Sequence, residues 1–184
     1  VKDSRIENLA QTLVNYCVAI KHGDTVLLSG SVAALPLVSA TYRQILRAGG
    51  HPMVQLQDDT LSEIFFQEGS DEQLEFIHEP MKLILETYDC MINIRGTNNT
   101  RSLSAIDPAR QMISQKARTE LMETYMKRSA SGDFRWVGTL YPTNAHAQEA
   151  DMSLQDYEDF VFRACHADKE DPVAEWLAVS REQQ

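Results

Sequence analysis

Short apolar, β-branched runs alternate along the chain with stretches in which hydrophobic residues recur every three to four positions, and this alternation predicts strands and helices in turn. Ile6, Leu9, Leu13 and Cys17 share one helical face, with Ser4 and Glu7 as the expected capping box and Gly23 as the stop. Thr25 to Ser29 (TVLLS) is continuously apolar enough to be a parallel strand buried on both faces, and a second helical pattern ending at Gly49 and Gly50 follows it. Met53 to Leu56 is the second expected strand. A helical stretch broken near Gly69, restarted by Ser70 with Gln73 and again at Pro80, leads into a third strand over Cys90 to Ile94. Asp107 and Pro108 offer an N-cap and a first-turn proline for one or two helices closed by Gly132, and Phe134 to Thr139 is the fourth strand.

Between Arg135 and Phe162 the chain reads RWVGTLYPTNAHAQEADMSLQDYEDFVF. Trp136 and Val137 suit a half-buried pleated surface, Gly138 is expected to admit a close backbone, and Pro142 ends ladder pairing near Thr139. Ser153 stands three residues before Asp156, and Met152 can staple onto Tyr157, so a helix is expected with Leu154, Tyr157, Val161 and Ala164 on one face. Asp171 and Pro172 start a last helix through Val173, Trp176 and Leu177. Strand, helix, strand repeated in this way implies right-handed crossovers. The expected fold is a single α/β domain over residues 1–184, three-layered, with a mostly parallel sheet of about four or five strands and helices on both faces. No twenty- to fifty-residue period recurs, which argues against a solenoid.

Composition agrees with a folded globule: 43% of the 184 residues are hydrophobic and no low-complexity tract interrupts them. The longest apolar runs are only a few residues, and no basic region leads into an apolar core, so neither a membrane span nor a secretory signal is expected and the cytoplasm is the default location. Seventeen basic against twenty-seven acidic residues give a formal charge of −10, which repels nucleic acid and anionic lipid in the absence of a basic patch. From Glu149 onward ten acidic residues face three basic ones, read first as a solvated helical face and second as an electrostatic lure for amines. Cys17, Cys90 and Cys165 are odd in number and far apart, which fits small buried apolar groups better than disulfides or a zinc knuckle.

Several segments could carry chemistry. HExxH is absent and the five histidines, His22, His51, His78, His146 and His166, are scattered singly. His146 and Glu149 have an i, i+3 spacing, but two groups fall short of the three or four ligands a metal needs, and a surface pair is the favoured reading. Ser29-Gly30-Ser31 lacks GxSxG, GxGxxG and GxxxxGK[ST], and a serine capping the next helix is favoured over a nucleophile or phosphate cradle. The loop Arg95-Gly96-Thr97-Asn98-Asn99-Thr100-Arg101 is the best ligand candidate, because binding crevices in open α/β sheets lie beyond the carboxyl ends of the strands. Its amides, hydroxyls and two guanidinium groups suit a peptide backbone or carboxylate, and Asn98, Asn99, Thr100 and Arg101 are the candidate substrate-binding residues. The plainer reading is a turn whose Asn side chains bond the local backbone, with Arg101 paired to Asp107 or another acid. Thr139 to Thr143 is a secondary candidate for the same crevice.

WVGTLYPT and AQEADMSLQDYEDFV, with RIENLAQTLVNYCVAIKHGDTVLL, PLVSATYRQILRAGGHPMVQL and NNTRSLSAIDP, occur in this order with fitting spacing. Together they cover nearly the whole chain and resemble the N-terminal portion of the M29 family of thermophilic-type metallo-aminopeptidases. The resemblance implies metal-assisted release of N-terminal amino acids from peptides, with two divalent ions of the zinc, cobalt or magnesium type held by Glu, His and Asp side chains of a C-terminal half. It implies no catalytic or metal-binding residue and no cofactor in these 184 residues, which would shape the substrate enclosure or a homodimer. The closing REQQ, without a terminating glycine or polar tail, fits a chain expected to continue into that half. Alternatives are a free-standing α/β domain for a small anionic ligand or nucleotide, and an interaction module using Trp176 and Leu177.

Overall fold

The computed structural model describes residues 3–183. Four parallel strands, β1 (Thr25–Ser31), β2 (His51–Gln57), β3 (Cys90–Arg95) and β4 (Arg135–Leu140), form one sheet in the order β2-β1-β3-β4. Before β1 comes α1 (Ser4–Thr12), prolonged by a π-helical stretch over Leu13–Cys17. A 3-10 turn (Val32–Ala34) and α2 (Leu35–Arg47) join β1 to β2. Helices α3 (Asp59–Glu68), α4 (Asp71–Glu75) and α5 (Glu79–Thr87) join β2 to β3, and α6 (Pro108–Ala117) and α7 (Thr119–Ser131) join β3 to β4. After β4 come α8 (Asn144–Glu149), α9 (Leu154–Ala164) and α10 (Pro172–Glu182). The expected three-layer parallel α/β architecture is the one observed, with strand ends displaced by a residue or two.

Strand alternation sorts the sheet into two unlike faces. Val26 and Leu28 of β1 and Cys90, Ile92 and Ile94 of β3 join Leu9 and Leu13, Leu37 and Ile45, and Phe162 of α9 in one core cluster. Gly30 belongs to this packing, because a Cβ there would overlap Val38 of α2. On the other face Leu27 is buried near the start of β1, but toward the strand ends the residues in register are Ser29, Gln55 and Asn93, flanked by Gly138. That face is apolar at one end and polar at the other.

Local signals set most helix starts. Asp58, Ser70 with Gln73, Asp107, Ser153 and Asp171 cap α3, α4, α6, α9 and α10 through bonds to backbone N–H groups, and Gly132 ends α7 in the left-handed region. At α1 the cap is Asp3, not Ser4: its carboxylate accepts from the Arg5 N–H, while Glu7, expected in a capping box, accepts from Arg43 Nη1 at 2.6 Å. In α9 the expected Leu154, Tyr157 and Val161 are half-buried and Ala164 is exposed, while the buried residue is Phe162, over whose ring the Arg5 guanidinium of α1 sits at 4.7 Å. Cys90 is buried, but Cys17 is exposed and Cys165 half-buried. Trp176 stacks on Tyr16 and donates to the Cys165 carbonyl at 3.0 Å, so it anchors α10 to α1.

The amino ends of the strands are tied by charge. Asp89 accepts from the Thr25 N–H and hydroxyl at 2.8 and 2.7 Å, and those two bonds, more than the nearby Arg135 and Arg128, hold its carboxyl below the usual range. Arg135 pairs with Asp24 at 2.6 Å and donates to the Val18 and Ala19 carbonyls, where Ala19 takes a positive φ of 45°. Polar clamps at this end leave the carboxyl ends free for a site.

Candidate functional site

Beyond β3 the chain turns through Gly96 into the candidate loop. Thr97 donates its hydroxyl to Asp59, and the Asn98 N–H donates to the same carboxylate oxygen at 3.2 Å. Asn99 Oδ1 accepts from the Arg101 N–H at 3.0 Å, an Asx turn. Thr100 donates to Glu149 Oε1 at 2.8 Å and Arg101 Nε lies 3.3 Å from the same atom. The Thr100 hydrogen bond, then the Arg101 charge, hold the Glu149 carboxyl below the ordinary range. Arg101 thus pairs with an acid, as the plainer reading of the loop expected, and the acid is Glu149, while Asp107 caps α6. Asn98, Asn99, Thr100 and Arg101 thus line a shallow polar depression of about 470 Å³ against α8, and much of their bonding capacity is met within the fold.

Thr143, at the end of the loop after β4, donates its hydroxyl to the Thr97 carbonyl at 2.7 Å and so welds the two loops together. With that proton committed, the 3.1 Å contact to His146 Nδ1 assigns the ring as donor. His146 and Glu149 therefore face different partners and do not converge. Among the described residues no group of three or more His, Cys, Asp or Glu side chains is arranged to hold a metal ion.

A second cavity was not legible in the loop pattern. The strand order reverses at β1: the chain passes from β1 outward to β2, then returns to the other side of β1 to form β3. At the carboxyl ends of β1 and β3 lies a crevice of about 430 Å³ lined by Ser31, Asp58, Asp59, Asn93, Arg95 and His146, among others. Gln57, Asn93 and Arg95 also line a neighbouring groove of about 670 Å³ over the polar end of the sheet, walled by Met91, Tyr125 and Trp136. Nothing lies within 4 Å of where a Cβ on Gly138 would stand, so the glycine keeps the groove open and no backbone approaches it as had been expected. Arg95 belonged to the candidate loop; Gln57, Asn93, Asp58 and Asp59 did not. The available signal was amides at alternate positions of otherwise apolar parallel strands.

With this geometry in place, a family model described as Thermophilic metalloprotease (M29) matches residues 2–184. The chain belongs to that family. A search of curated proteins found no match. Among solved structures, wild-type AmpT from Thermus thermophilus matches with a TM-score of 0.76 and 17% identity, over 97% of this chain and 46% of AmpT. The chain therefore spans about half the length of AmpT, and the likeness establishes the fold. An alcohol dehydrogenase superfamily protein from Novosphingobium aromaticivorans matches with a TM-score of 0.34 and 12% identity, over 88% of this chain and 48% of its own, too slight a likeness to bear on function. Among the described residues no set of side chains fits the divalent ions that membership of a metalloprotease family implies. None of the described helices is long and apolar enough to cross a membrane.

Proposed function

We propose that this chain is the noncatalytic N-terminal domain of a metal-dependent aminopeptidase that releases N-terminal amino acids from peptides in the cytoplasm. The observation that carries the reading is the family match over residues 2–184 on a fold shared with only 46% of AmpT. In this reading two divalent ions, of the zinc, cobalt or magnesium type, belong to polypeptide beyond these residues. The domain contributes walls to the substrate enclosure, with Asn98, Asn99, Thr100 and Arg101 facing peptide at the carboxyl ends of the strands. A second copy of the protein is the partner we propose, supported by the open edge of β2, where Met53, Val54 and Leu56 are 38%, 40% and 48% exposed.

Short peptides incubated with divalent metal and either the natural full-length protein or residues 1–184 test the division of labour. The longer protein should release N-terminal residues and the 184-residue chain should release none. Turnover by the chain alone would end the proposal.

A further inference from the structure

We infer that the groove walled by Met91, Tyr125 and Trp136 binds an amphiphilic oxyanion, an apolar chain of medium length that ends in a carboxylate or phosphate. The head would meet Arg95 and Arg118, and the tail would lie along the three walls. Such a ligand has no amino-terminal residue to release, so the inference is independent of the division of labour proposed above.

Chain direction sets the juxtaposition. Met91, Asn93 and Arg95 follow one another along one face of β3, from its amino toward its carboxyl end. Trp136 and Gly138 of β4 stand in register with Met91 and Asn93. Helix α7 runs back the other way, since it ends at Gly132, shortly before β4 begins at Arg135. Arg118, just before α7, is therefore brought to the end of the groove where Arg95 lies. Tyr125, about two turns further on, lies at the opposite end, its ring 5.5 Å from that of Trp136 and 5.7 Å from that of Phe134. Cations thus mark one end of the groove and apolar side chains the other.

Charge and shape select the ligand class. No Asp or Glu lines this groove, and its ionisable side chains besides Tyr125 are Arg95, Arg118 and His78. In a chain of net charge −10 that makes it a place for anions, whereas Asp58 and Asp59 line the neighbouring crevice and Glu86 and Glu120 a smaller depression. The Arg95 guanidinium is exposed and makes no ion pair or hydrogen bond among the described residues. Arg118 donates through Nη1 to the Ser114 carbonyl and hydroxyl, and its other N–H groups make no bond among the described residues. Two such forks suit the oxygens of a carboxylate or phosphate. From Met91 to Arg95 the strand rises about 13 Å at about 3.3 Å per residue, which leaves room for a tail behind the head. Met81, Met91 and Met122 supply flexible thioether walls that adapt to an unbranched chain. The volume of about 670 Å³ falls within the range of about 300–1,000 Å³ usual for small-molecule sites.

Calorimetric titration of the 184-residue chain with octanoate, octanol and octylammonium tests the inference. Octanoate should bind about tenfold or more tightly than octanol, and octylammonium more weakly than both. Arg95→Gln with Arg118→Gln should weaken octanoate by about tenfold or more and leave octanol unchanged. Gly138→Leu sends a side chain into the groove, where nothing lies within 4 Å of the Cβ position. It should abolish octanoate binding while the midpoint of chemical denaturation stays that of the parent. Octyl phosphate distinguishes the head group, since tighter binding than octanoate names a phosphate monoester and weaker binding a carboxylate. Equal affinity for octanoate and octanol, no octanoate binding, undiminished octanoate binding by a folded Gly138→Leu variant, or tighter binding of leucylleucine than of octanoate would overturn it.

Discussion

Replacing Arg135 by Met keeps the aliphatic stem of the side chain and deletes the guanidinium that binds three groups at the amino end of the sheet. Those groups are Asp24 Oδ2 at 2.6 Å and the Val18 and Ala19 carbonyls at 2.9 and 2.7 Å. The Asp24 side chain is only 12% exposed and would keep the Lys21 N–H at 2.6 Å but lose its countercharge. Removing one partner of a buried pair costs about 3–5 kcal/mol. Because the Arg135 side chain is 27% exposed, water replaces part of what is lost and the low end, about 3 kcal/mol, applies. With a urea m-value of about 2 kcal/mol/M, the midpoint of unfolding should fall by about 1.5 M. Asp24→Asn in the same chain removes the stranded charge, so the double variant should cost clearly less than the sum of the singles. A loss under about 0.5 kcal/mol for Arg135→Met, or strict additivity in the double variant, would refute the clamp.

Gly30→Val should destabilise the fold by about 1–3 kcal/mol or more, read from chemical denaturation, because any Cβ there meets Val38 of α2. Asp89 supplies a pH signature. Its carboxyl is depressed in the folded state, so its contribution is present above the ordinary value of 3.8 and is lost as pH falls through the lower folded value. The acid limb of stability against pH should therefore be shallower in Asp89→Asn than in the parent, and identical limbs would contradict the bonds to Thr25. Arg101→Ala should leave the midpoint of chemical denaturation essentially unchanged, since the Arg101 and Glu149 side chains are 77% and 47% exposed and water replaces the pair. In the full-length protein the same substitution should raise KM for short peptides, and unchanged kinetics would remove the loop from substrate binding.

The parallel sheet was readable because strands buried on both faces appear as apolar runs, and glycine, proline and capping residues punctuate them locally. Ser70 with Gln73 and Asp107 with Pro108 marked helix starts correctly because the groups that bond are only a few residues apart. Ser4 misled for a related reason: Asp3, one residue earlier, offers a carboxylate in the same place and wins the Arg5 N–H. On α9, Phe162 and Asp159 meet Arg5, more than 150 positions away, and no local period reports such contacts. The candidate loop was found in place, but its bonds to Asp59 and Glu149 come from two other connections. The crevice holding Asp58, Asp59, Asn93 and Arg95 exists only because β3 returns to the side of β1 opposite β2, and the alternation of strands and helices does not encode that order.

Metal content measured on the purified 184-residue chain and on the natural full-length protein, after equilibration with zinc or cobalt and removal of free ion, tests the central division most directly. Two ions retained per full-length protomer and none by residues 1–184 is the expected result. Stoichiometric retention by the 184-residue chain would contradict it.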